Sequence, residues 1–137
     1  MKKVRVIAFI LVIACFMSLS AFAIQTRASD QISSYSINIT ANTGSIKVKI
    51  SVSGTGTMDK IGCESIEIYK KVGSRWDYVT SLDEDDTNMS NTNIHAHAQS
   101  FYFDTVKNVE YMVSVVIFAE NDDGRDTRSK TEYVTGK

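Results

Sequence analysis

Proline is missing from all 137 residues. A proline-rich stalk that would carry a domain across a cell wall is therefore excluded, and so is a sorting signal of the Leu-Pro-x-Thr-Gly kind. Cysteine is nearly missing too, with Cys15 and Cys63 alone. Two thiols do not make the disulfide framework that staples many small secreted domains. There is one tryptophan, Trp76, and no excess of positive charge, the net being −1. That balance argues against nucleic acid or an anionic membrane as the main partner, since both are bound through clustered Lys and Arg.

What is present begins with a leader. Lys2, Lys3 and Arg5 precede an apolar run from Val6 to Met17, and Ala21-Phe22-Ala23 supplies small residues for cleavage, the three parts of a secretory signal. The run is shorter than the ~20 residues that cross a bilayer. Residues 1–23 are expected to be removed, leaving 24–137 as a single released, extracellular domain. The leader holds three positive charges and no acids, so the remainder carries −4. A rival cut exists, because Val12-Ile13-Ala14-Cys15 resembles a lipoprotein box that would leave a lipid-anchored Cys15, although the following Phe16, Met17 and Leu19 stay apolar. Cleavage after Ala23 leaves Cys63 alone, and a buried small residue is expected there rather than a reactive or intermolecular thiol.

Alternation of period two dominates 24–137, and helical periodicity is absent. Ile46, Val48, Ile50 and Val52 alternate with Lys47, Lys49, Ser51 and Ser53, a half-buried antiparallel strand. Ser36–Thr40 reads as a strand before it. Ser65–Lys71 and Trp76–Leu82 read as a hairpin turned by Val72-Gly73-Ser74-Arg75. Asp83–Asn93, acidic and without apolar period, reads as a loop. Ile94–Phe103 alternates weakly. Glu110–Glu120 alternates strongly, with Tyr111, Val113, Val115, Ile117 and Ala119 on one face and an apolar second face, Val116 and Phe118 included, so that a central strand is expected. Asn121-Asp122-Asp123-Gly124 turns the chain into a last strand, Ser129–Thr135. About seven short strands predict an all-β, two-sheet antiparallel sandwich.

Val109–Ser129, VEYMVSVVIFAENDDGRDTRS, resembles the F strand, turn and G strand of a fibronectin type III domain. Tyr111 stands where that family has its tyrosine corner, and Ala119, Asn121, Gly124 and Ser129 match its A-x-N-x-x-G-x-x-x-x-S pattern. The resemblance implies an immunoglobulin-like fold. Separately, GTGTMDKIG (54–62), Ser65–Tyr69 and Gly73-Ser74-Arg75-Trp76, running on to His97 and Tyr111, are similar to a family of uncharacterised small secreted proteins of Gram-positive gut bacteria. That resemblance implies nothing about function.

GTGTMDKIG is the segment that looks most like a phosphate cradle. A dinucleotide fingerprint needs a third glycine where Asp59 stands, then a helix and a parallel strand, and none is there. The segment reads instead as a strand end, with Gly54 and Gly56 permitting a bulge or close contact, Met58 capping the core and Asp59-Lys60 turning. His95 and His97, two apart on one strand face, could share a metal ion, with Asp83–Asp86 or Asp104 as further ligands, or be inert edge residues. The loop Asp83-Glu84-Asp85-Asp86-Thr87-Asn88 could bind calcium, but it has Asn88 where an EF-hand has glycine and Ile94 where it has glutamate. No nucleophile elbow is present, and Cys63 lies in no motif with a histidine.

Binding is the reading that remains. Val116 and Phe118, facing outward beside Tyr69, would form an apolar-aromatic patch of the kind that marks a partner surface, unless a second copy or the 83–93 loop covers it. Trp76 and Tyr78 could stack on a sugar ring or pack into the core. The sequence thus leads us to expect a non-enzymatic extracellular interaction module without cofactor, its partner a protein, a glycan or another copy of itself. The alternative from another class is a calcium- or zinc-binding secreted protein, possibly hydrolytic, built on His95, His97 and the acidic loop.

Overall fold

A computed structural model of the chain describes residues 30–137; the leader, its cleavage site and Cys15 lie outside the described residues. The described chain is all β and antiparallel. β1 (Ile32–Asn42), β2 (Ser45–Val72), β3 (Arg75–Asp83), β4 (Ser90–Asp104), β5 (Glu110–Asn121) and β6 (Gly124–Thr135) follow one another without a helix. They form one six-stranded sheet.

The sheet is organised by β2, which is 28 residues long. β1 and β4 flank its first half, β3 and β5 its second, and β6 completes the sheet beside β5. The sequence pattern suggests two strands here, at 46–53 and 65–71, because the alternation between them fails. The strand in fact continues, and the failure marks where it bends. Buried positions run Ile46, Val48, Ile50, Val52 and Met58, then shift to Ile61 and Cys63, then to Ile66 and Ile68. The second shift coincides with a break in register against β5, and a further break, against β4, lies between Ser53 and Met58. Ser53 pairs with Ala96 and Met58 with Ile94, leaving Gly54 to Thr57 opposite His95 alone. Cys63 pairs with Ile117 and Ser65 with Val116, leaving Glu64 over. Extra residues on one strand bend it and increase its twist, so both halves of β2 turn their apolar faces toward one core.

The curl brings β1 to β6, where Asp126 Oδ2 accepts the Gln31 N–H at 2.9 Å and Lys130 Nζ donates to the Ile37 carbonyl at 3.3 Å. Of the expected elements, the hairpin at Gly73-Ser74 and the turn at Asp122-Asp123 are present, and the inward face of β5 is buried as read, Tyr111 to Ala119. Three further expectations are corrected. Asp59 and Lys60 lie within β2 and do not turn the chain. The loop is shorter than 83–93, since β4 begins at Ser90. The last strand begins at Gly124 because its pairing with β5 starts directly at the turn. The Tyr111 hydroxyl accepts the Val106 N–H at 2.8 Å, tying the 105–109 connection to the core.

Candidate functional site

The outer face of β3, the second half of β2, β5 and β6 carries a row of aromatic and apolar side chains. Register builds it: Tyr78 pairs with Tyr69, Tyr69 with Met112, and Met112 with Tyr133. Directly opposed residues in a sheet share a face, so one row crosses four strands. Trp76, two residues before Tyr78, joins it by reaching to Tyr133, with ring centroids 5.5 Å apart and planes at 47°. Tyr69 and Tyr78 meet edge to face at 5.9 Å. Tyr78 and Tyr133 are 60% and 58% exposed, while Tyr69, Trp76 and Met112 are half-buried.

Polar groups are interleaved with these rings. Lys71 Nζ lies 5.7 Å from the Trp76 ring centroid and 3.0 Å from Glu110. Arg75 pairs with Asp77 at 2.9 Å. The Tyr69 hydroxyl donates to Glu67 Oε2 at 3.3 Å, and the nearby Glu67 charge raises the Tyr69 phenol above its usual range. Lys71 and Arg75 are each paired with an acid, and Glu67 adds one further negative charge beside the rings.

The outward residues expected from the sequence are not brought together as one patch. Tyr69 is in the row. Val116, half-buried, pairs with Ser65, four residues along β2 from Tyr69. Phe118 is corrected: it points away from the main core, as its alternation requires, yet it is fully buried. It stands opposite Gly62, and Arg125 covers it from β6 with its guanidinium carbon 3.8 Å from the ring centroid. Arg125 is in turn bonded to Glu84, and lies 3.4 Å from Glu120 and 3.8 Å from Glu64. The apolar surface therefore extends away from Phe118, toward Trp76 and Tyr133. Tyr133 was legible in principle: counting back equally along both strands from the Asn121–Gly124 turn sets it opposite Met112.

The other candidates are placed apart. His95 Nδ1 is 3.1 Å from the Gly56 carbonyl, and His97 Nε2 is 2.9 Å from the Asn88 carbonyl, so each imidazole is engaged with a different backbone oxygen. Asp104 pairs with Ser45, at the far end of β4. The acidic loop is held by the protein's own cations and amides. Lys60 Nζ lies 2.8 Å from Asp85 and 3.4 Å from Glu84, and Asp86 Oδ2 accepts the Asp83 N–H at 2.7 Å. The Lys60 hydrogen bond holds the Asp85 carboxyl below the usual carboxylate range, and the same bond raises Lys60. Among the described residues, no group of three or more His, Cys, Asp and Glu side chains is placed to hold a metal ion.

Cys63 is buried, and burial pushes its thiol up to about 12. Its Sγ donates toward the Val116 carbonyl at 3.2 Å or that of Ser65 at 3.4 Å. GTGTMDKIG forms the bend of β2 rather than a cradle. A Cβ on Gly54 would stand 2.6 Å from Met58 Cγ and 2.8 Å from the Gly56 carbonyl oxygen, and Met58 is buried.

No protein-family model matches the chain, and no curated protein is similar to it. Three solved structures share its general course. A hypothetical protein of Pyrococcus horikoshii OT3 is 15% identical with a TM-score of 0.44, over 77% of this chain and 90% of that one. The sporulation control protein of Bacillus subtilis is 14% identical with a TM-score of 0.45, over 81% of this chain and half of that one. A putative late embryogenesis abundant protein is 13% identical with a TM-score of 0.40, over 98% of this chain and 85% of that one. At these scores nothing about activity or partners passes from them to this chain.

Proposed function

We propose that the chain is a secreted, non-enzymatic interaction module that takes an extracellular protein or glycan on the aromatic outer face of β3, β2, β5 and β6. The reading rests on one observation: Trp76, Tyr78 and Tyr133 are gathered by register on a face where two of the rings are more than half exposed. Exposed aromatics interleaved with polar groups mark recognition surfaces, because each ring offers a large apolar area at little cost in conformational entropy. We further read the curled sheet as a sandwich of the immunoglobulin-like, fibronectin type III-like kind. The Tyr111 hydroxyl, bonded to backbone five residues upstream, supports that reading as a tyrosine corner. Secretion rests on the leader, and the mildly acidic remainder leaves nucleic acid aside.

The test uses Trp76, the single tryptophan of the chain, whose emission reports on the face itself. The chain is titrated with a mucin and with a panel of soluble neutral polysaccharides. A saturable change in emission, lost in Tyr133→Ala, supports the reading. Melting with EDTA, calcium and zinc runs beside it, since a metal that binds the folded state raises the melting temperature. A rise of several degrees with one metal, and no emission change with any glycan, would replace this reading with the metal-binding alternative.

A further inference from the structure

The aromatic row of the outer face has different neighbours on its two sides. Toward the β2–β3 hairpin the charges are matched, Lys71 with Glu110 and Arg75 with Asp77. On the other side lies a shelf of short polar side chains. Ser81 pairs with Glu67, Glu67 with Ser114, and Ser114 with Thr131. In the row beyond, Asp83 pairs with Ser65, Ser65 with Val116, and Val116 with Ser129. Residues opposed across strands, or two apart along one, share a face, so the shelf and the rings are on the same side of the sheet. The phenols join them: the Tyr78 hydroxyl lies 3.0 Å from Ser81 Oγ, and the Tyr69 hydroxyl donates to Glu67.

The shelf carries charge of one sign. Glu67 and Asp83 are exposed, and among the described residues neither is ion-paired. Lys60 and Arg125, at the far end of the face, are engaged by Asp85, Glu84 and Glu120. Arg128 and Lys130 stand opposite Ile117 and Val115, on the core side of β6. Along the shelf β2 and β5 are paired on both sides, so their main chain has no free edge to accept an added strand, and a partner meets side chains alone.

We propose that the rings and the shelf together bind a glycan chain that carries free amines, of the glucosamine type. The proposal rests on the reading of this face as the binding surface and names the class of partner. Charge complementarity selects the amine, because an ammonium is attracted both to a carboxylate and to the faces of Tyr and Trp rings, and Glu67 stands directly beside Tyr69. The hydroxyl rows select the sugar. A sugar ring offers an apolar face to an aromatic side chain and hydroxyls at its rim to Ser and Thr, whereas a basic peptide would match the two carboxylates and leave those rows unused. Sulfated, sialylated or phosphate-bearing chains would meet like charge at Glu67 and Asp83. Four strands at ~4.8 Å spacing give the face a breadth of about 14 Å, room for a short run of sugar units.

The experiment is isothermal titration of the chain, as secreted by an expressing cell, with short oligomers of glucosamine, with the same oligomers fully N-acetylated, and with oligolysine, at a pH that keeps the amines protonated. The free-amine oligomers should bind about tenfold more tightly than the acetylated ones, as befits one charge-assisted hydrogen bond, and Trp76 emission should follow the same curve. Glu67→Gln should lose that tenfold and leave the acetylated oligomers unaffected. Tyr133→Ala should weaken both, and each variant should keep the circular dichroism of the parent. Equal affinity for the two oligomers, unchanged by Glu67→Gln, would overturn the proposal while leaving the face a glycan-binding surface. Oligolysine binding as tightly as the glucosamine chain, indifferent to Tyr133→Ala, would overturn it in favour of charge alone. Silence toward all three probes would overturn it as well and leave the face to a protein partner.

Discussion

The guanidinium of Arg125 lies over the ring of Phe118, 3.8 Å from its centroid, and thereby buries an aromatic residue on the side of the sheet that faces away from the main core. The position matters because three acids, Glu64, Glu84 and Glu120, converge on the same arginine. Removing it uncovers Phe118 and leaves those carboxylates facing one another. Arg125 is itself about one third exposed, so the ion pairs are screened and contribute modestly. Arg125→Ala should cost about 1–2 kcal/mol in urea unfolding, most of it from the ring contact, and the variant should bind more of a hydrophobic dye than the parent.

Gly62 and Gly56 belong to the same motif, yet they should respond in opposite ways to the same change. A Cβ on Gly62 would collide with the Met89 carbonyl oxygen and stand 2.6 Å from Ser90 Cα, both backbone atoms. The Met89 oxygen also accepts the Cys63 N–H at 2.7 Å. Gly62→Ala must therefore push the loop off β2, at a cost of about 2–4 kcal/mol. A methyl group on Gly56 would meet nothing within 4 Å, and Gly56→Ala should leave stability within about 0.5 kcal/mol of the parent. Urea melts followed by Trp76 emission measure both.

The Cys63 thiol, pushed up to about 12 by burial, should be unreactive in the folded chain, because the thiolate is the attacking form. Ellman's reagent at pH 8 should label it only on addition of denaturant. Linkage adds a second expectation. Between the ordinary thiol range and about 12, the folded state keeps a proton that the unfolded state has released, so stability falls as pH rises through that window. Cys63→Ser, whose hydroxyl does not titrate there, should show a shallower decline in melting temperature at alkaline pH.

Lys60 ties the acidic loop to β2 through Asp85 and Glu84. Asp85 is held below the usual carboxylate range by that bond, so its contribution is present above the ordinary value and is lost as pH falls through the lowered one. Asp85 is largely exposed, and the effect should appear locally rather than in global stability. The protection of the Met89 amide relative to its intrinsic exchange rate should fall in acid, and Lys60→Ala should reproduce that loss of protection at neutral pH.

Several of these features were open to reading from the sequence. The Ile46–Val52 and Tyr111–Ala119 alternations identified their buried faces, since a period of two needs no knowledge of the partner strand. Two-residue turns at Gly73-Ser74 and Asp122-Asp123 were visible for the same local reason. β2 was not. A bulged strand shifts its buried face from even to odd positions and back, and a broken alternation looks like a strand that ends. The candidate surface was half legible: Tyr69, Trp76 and Tyr78 were named, while Tyr133 needed the β5–β6 register and the cover over Phe118 needed the position of Arg125.

The sequence by itself determined the all-β character, the local turns and the inward faces, because these follow from side-chain periodicity and backbone preference within a few residues. Tertiary structure alone decided that Ser45–Val72 is one bent strand, that Phe118 lies under Arg125, that His95 and His97 bond to separate carbonyls, and that Tyr133 meets Trp76. Each of these depends on which residue of one strand lies opposite which residue of another, a relation between segments distant in the chain that pairing register sets and no local pattern encodes.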